Sequence, residues 1–133
     1  MSSWHAAIND ERYAVAQEVL ARLGDKWSVC VIHMIEGEPI RFTDLMRRIS
    51  AARPISARVL TRTLKQLERD GLVARKVFPV APPRVEYRLT GLGQRFLELA
   101  DRILDWAMAQ GPDFAAARQG IGSSTPQPFP SAA

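Results

Sequence analysis

Apolar and polar positions alternate along this chain in a way that divides it into discrete elements. Residues 9–24, "NDERYAVAQEVLARLG", predict a helix: Asn9 can cap it, acids occupy the first turn and Gly24 follows it. Residues 25–37, "DKWSVCVIHMIEG", are apolar almost all round, which predicts a central buried helix with Asp25 as cap and Gly37 as terminator. "EPIRF" is a short extended stretch, and "TDLMRRIS" is a short helix capped by Thr43. "ARP" is a turn, because a residue before proline is pushed away from helical angles. "SARVLTRTLKQLERDG" is a helix between Ser56 as cap and Gly71 as terminator. "LVARKVF" and "RVEYRL" are strand-like, and "TGLGQRFLELADRILDWAMAQ" is a long helix capped by Thr90. The expected fold class is mainly α with a small β-hairpin (α+β): a winged helix-turn-helix flanked by terminal helices at about 9–23 and 90–110. Residues 1–110 would form that domain. From Gly111 onward four prolines and three glycines predict a disordered or loosely packed tail, residues 111–133.

The helix at 56–70 carries most of the functional signal. At about 100° per residue, Leu60, Leu64 and Leu67 share one face, and Arg58, Arg62, Lys65 and Arg69 share the opposite one. No acid lies on the cationic stripe. Like charges at i,i+4 cost a helix a few tenths of a kcal/mol per pair, so the stripe gains nothing for folding but suits a phosphate surface. Ser56, Arg58, Thr61 and Arg62, near the helix start, are candidates for base edges, whereas Lys65 and Arg69 lie where phosphates are met.

Charge distribution strengthens this reading. The net charge is +4 over 133 residues, but Arg41 to Arg88 holds twelve Lys/Arg against four Asp/Glu. A basic middle between acidic flanks suggests a polyanion-binding segment. An apolar content of 47% with 24% charged residues fits one globular domain. No apolar run approaches the ~20 residues of a membrane span, and no signal peptide is visible. One cysteine fits a reducing compartment, so a cytoplasmic location is expected.

"LGDKW" at 23–27, "IRFTDLMRRI" at 40–49, "ISARVLTRTLKQLERDGLVAR" at 55–75 and "VFPVAPPRVEYRLTGLGQRF" at 77–96 resemble the HxlR family of bacterial transcription regulators, winged-helix proteins of MarR-like architecture. The most specific stretch runs from Pro79 to Gly93. The resemblance implies a homodimer on a pseudo-palindromic operator of double-stranded DNA, with helix 56–70 in the major groove. It also implies that the wing around Pro82, Pro83 and Arg84 reaches the backbone or minor groove. Arg41, Thr43 and Lys76 complete the candidate DNA-binding set. Many family members carry a sensing cysteine near the N-terminus; here nothing before Cys30 is a cysteine.

Other features are weaker. Cys30 and His33 at i,i+3 could be an assisted thiolate open to oxidation, or Cys30 could simply be a buried residue of an apolar helix, the favoured alternative. Trp27 and Cys30 are candidate sensing residues, with a small aromatic or electrophilic effector near Trp27 or Trp106 by family analogy. No metal-ligand spacing, no cofactor motif and no catalytic set is legible, so a non-enzyme is expected. Leu92, Phe96, Leu99, Ile103 and Trp106 form an a/d stripe, with Leu97, Leu104 and Met108 as a second row; Tyr13 and Leu20 add to it from the first helix. Two rows suggest dimerisation. The alternative function is a winged-helix protein-interaction module with a basic face and no specific DNA site.

Overall fold

The computed structural model describes residue 6 and residues 8–121. The chain divides into two compact units, Met1–Ala100 and Asp101–Ala133. The elements are α1 (Arg12–Leu23), α2 (Ser28–Ile35), β1 (Ile40–Arg41), α3 (Phe42–Ala52), α4 (Ala57–Arg69), β2 (Val73–Phe78), β3 (Arg84–Leu89), α5 (Gly91–Ala109) and α6 (Gly111–Ile121). This is the mainly helical winged-helix architecture expected from the sequence.

The first unit is built around α2. Val31, Ile32 and Ile35 are buried there, with Leu45 and Ile49 of α3, Leu60, Leu64 and Leu67 of α4, and Phe96 and Leu97 of α5. Each such side chain contributes about 1.5–3 kcal/mol on burial. The three leucines of α4 therefore outweigh the repulsion along its cationic face by several-fold. Asp25 accepts hydrogen bonds from the Ser28 backbone N–H at 3.0 Å and the Ser28 hydroxyl at 2.6 Å, which starts α2. Gly37, at φ 101°, turns the chain out after it.

The start of α4 follows the sequence expectation, with Ser56 Oγ accepting from the Val59 N–H at 3.1 Å. Its end is a Schellman motif: Leu72 N–H donates to Leu67 O, and Gly71 N–H to Glu68 O, both at 3.0 Å. Gly71 adopts the left-handed φ of 77° that this motif requires. The wing strands then pair antiparallel with Lys76 opposite Glu86 and Phe78 opposite Arg84. All three prolines of the wing fall between the strands, outside the ladder. The short stretch at 40–41 joins the hairpin as a third strand, with Ile40 opposite Tyr87, so the sheet order is β1-β3-β2. Thr90 ties this sheet to α4 and α5: its hydroxyl donates to Gly71 O at 2.6 Å and accepts from Gly93 N–H at 3.0 Å.

Several sequence expectations need correction. Helix α1 starts at Arg12, and Asp10 rather than Asn9 accepts the Arg12 N–H, at 2.9 Å. Helix α3 starts at Phe42 and has no side-chain cap, so Thr43 lies inside it. Phe96 is buried in the core of the first unit and is not part of an exposed stripe. Residues 111–121, expected as part of a loose tail, form helix α6, although none of 111–120 is buried. Pro112 is compatible with its first turn, where no intrahelical donor is needed. Residues 122–133 lie outside the described residues. Within the second unit, Trp106 and Phe114 meet edge to face, with ring centroids 6.3 Å apart.

Candidate nucleic-acid interface

The buried leucine face of α4 fixes which side of the helix meets solvent. Arg58, Thr61, Arg62, Lys65 and Arg69 are all exposed on that side. With Gln66 they line one shallow hollow. None of the four cations makes an ion pair among the described residues. Gln66 was missed by the sequence reading, because a neutral side chain does not register in a charge stripe. Its helical angle, about 40° beyond Arg62, places it at the edge of the stripe.

The wing gathers the other candidates. Arg41 and Thr43, at the β1–α3 junction, line a second hollow with Pro82, Pro83 and Arg84. On the hairpin, register places Lys76, Phe78, Arg84 and Glu86 on one face. Both cations lie over the Phe78 ring: Lys76 Nζ at 4.8 Å and Arg84 Cζ at 4.2 Å from its centroid. Arg84 Nε lies 3.7 Å from Glu86 Oε2, a charge contact too long for a hydrogen bond, and this buried nitrogen has no hydrogen-bond partner. Arg84 therefore braces the wing through both Phe78 and Glu86. The structure thus separates the ten predicted contacts into a helical group, with Ser56 engaged as cap, and a wing group.

Cys30 is half-buried against the core. Burial pushes its thiol up from the ordinary value, and the nearby Arg53 guanidinium opposes this only partly. Lys26 Nζ lies 5.4 Å and Arg53 Cζ 5.3 Å from the Trp27 ring centroid. The ring therefore already has cation partners. The dimerisation candidates Leu20, Leu92, Leu99, Ile103 and Trp106 are exposed large apolar side chains, and Tyr13 is partly exposed. Among the described residues no cluster of three or more His, Cys, Asp or Glu could hold a metal ion, and no helix is long and apolar enough to cross a membrane.

A helix-turn-helix whose second helix shows a bare cationic face, followed by a wing, narrows the family. The family model described as HxlR-like helix-turn-helix matches residues 22–114. The chain belongs to the HxlR-like helix-turn-helix family. An uncharacterised HTH-type transcriptional regulator of Methanothermobacter thermautotrophicus is 37% identical to this HxlR-like chain over 105 residues, 78% of each chain. A solved MarR-family transcriptional regulator from Enterococcus faecalis V583 superposes with a TM-score of 0.66 at 30% identity, covering 81% of this chain and 96% of that one. The redox regulator HypR in its reduced form superposes with a TM-score of 0.64 at 28% identity, covering 76% and 97%. This HxlR-like protein is a helix-turn-helix transcriptional regulator; the family and its relatives are regulators rather than enzymes.

Proposed function

We propose that two copies of this chain bind a pseudo-palindromic DNA site, with each α4 in a major groove and successive half-sites about 34 Å apart. Arg58, Thr61 and Arg62 read base edges, while Lys65 and Arg69 meet phosphates. The wing, with Lys76 and Arg84, lies along the backbone or minor groove, and Arg41 and Thr43 stand beside its tip. The exposed apolar side chains of α1 and α5 supply the dimer contact.

One observation carries this reading: four cations on α4 are exposed and, among the described residues, without an ion-pair partner, while the opposite face of the same helix is fully buried. A helix so anchored can offer its charge to a rigid polyanion without refolding. HypR is a redox regulator, and the single cysteine here is Cys30. Burial holds the Cys30 thiol protonated, so a redox input there would act on a poorly nucleophilic group.

Selection of bound duplexes from a random-sequence library tests the proposal. An enriched inverted repeat with half-sites one helical turn apart, bound as a dimer, is expected. Retention of DNA only at low salt and without sequence preference would instead favour a basic face for an acidic protein partner.

A further inference from the structure

Helix α1 buries none of its residues, yet it is tied to the far end of α4. Arg22 Nε donates to Asp70 Oδ2 at 2.6 Å, across 48 positions of sequence. The other carboxylate oxygen, Oδ1, accepts from Gln66 Nε2 at 3.2 Å. The remaining ion pairs described join residues two or three positions apart. Both partners of the Arg22–Asp70 pair are shielded, with side-chain exposures of 22% and 27%.

The location of Asp70 is electrostatically unfavourable by itself. It is the C-cap of α4, where the helix dipole disfavours negative charge. Arg22 offsets that cost from another element. Arg69, the preceding residue, is exposed and makes no ion pair among the described residues. Gln66 stands on the same hollow as Arg62 and Arg69. Only its amide nitrogen can donate to a carboxylate, so this bond fixes the amide orientation and leaves Oε1 as the free acceptor. Such an acceptor matches the exocyclic amines of adenine or cytosine.

We infer that Asp70 is a positioning residue for DNA reading: through Arg22 it sets the pitch of α4 against α1, and through Gln66 it orients an acceptor on the reading face. This rests on the assignment of α4 to DNA and α1 to the dimer contact made above. In a dimer, the pitch of α4 against α1 sets the distance between the two reading helices. Loss of the link should therefore relax the preferred spacing of half-sites, a property that simple destabilisation does not alter.

The test uses the full-length protein and the duplex it selects from a random library, together with versions carrying one base pair more or less between half-sites. Wild type should prefer the selected spacing. Arg22→Met and Asp70→Asn should each reduce that preference by about fivefold or more, the lower range of an allosteric coupling. The double variant should lose no more than the larger single loss. In the charge-neutral double variant, affinity for an unselected duplex of equal length should stay unchanged. Should Arg22→Met not fold, the near-isosteric Asp70→Asn reads the same preference. Unaltered spacing preference in a folded variant, or losses that add in the double variant, would overturn the inference while leaving DNA binding intact. A wild-type protein that selects no sequence would instead overturn the reading of α4, and this inference with it.

Discussion

On α4, Arg58, Arg62, Lys65 and Arg69 stand exposed with no carboxylate partner among the described residues, whereas on the wing Lys76 and Arg84 both lie over the ring of Phe78. The two basic surfaces thus hold their charge differently. The helix is rigid in its backbone and free in its side chains. The wing fixes its side chains before any partner arrives. Long unpaired arginines can adjust to individual base edges, which suits sequence discrimination. Restrained cations lose less entropy on docking and suit a surface that varies little with sequence, such as phosphate or groove width.

The largest expected effect removes the support that both surfaces share. A Cβ on Gly93 would lie 2.0 Å from Leu72 O, a backbone atom between the end of α4 and the start of β2. Gly93→Ala should cost about 3 kcal/mol or more by urea unfolding and weaken helix and wing together. An effect confined to one surface would show that they are supported separately.

Arg62→Ala and Arg84→Ala separate the two modes. The first should cost roughly 1–3 kcal/mol on a selected duplex and relax discrimination at one position. The second should weaken binding evenly across sequences. Phe78→Leu is a finer probe, since it keeps both wing cations but removes the ring beneath them. A loss of about 0.5–1 kcal/mol, independent of DNA sequence and with little change in salt slope, is expected in a binding titration.

Asp25 lies on neither surface and provides the smallest effect. The Ser28 hydroxyl hydrogen bond, foremost, holds its carboxyl below the usual value near 3.8. A depressed folded pKa gives stability that is present above the unfolded value and lost as pH falls through the folded one. Asp25→Asn should therefore lose a few tenths of a kcal/mol at neutral pH, because amide and carboxylate cap alike and the site is largely solvated. That gap should close below about pH 4 in unfolding curves measured against pH.

Much of the helix-turn-helix was legible because its signals are local. Ser56, Gly71 and the Leu60–Leu64–Leu67 face mark α4 within sixteen residues, and the wing strands follow from β-forming runs around prolines. What stayed hidden depends on distant partners. Nothing near Ile40 announces that it pairs with Tyr87. A stripe at helical spacing cannot tell a core from a partner surface, so Phe96, in the core, was grouped with exposed Leu99 and Ile103. The composition of 111–133 averaged the prolines of its end with the alanine-rich run that forms α6. At the candidate site, the charges of α4 could be read from periodicity, but the stacking of Lys76 and Arg84 on Phe78 needed the hairpin register. Gln66 and its link through Asp70 to Arg22 needed the tertiary structure.

The most direct measurement is a salt-controlled anisotropy titration of wild type, Arg62→Ala and Arg84→Ala. Each would be tested on the selected duplex and on a set with single base-pair changes. Reading by α4 with a sequence-neutral wing predicts that Arg62→Ala flattens the affinity differences at one position while Arg84→Ala lowers every affinity by a similar factor. Equal, sequence-independent losses for both variants, or no loss for either, would contradict it.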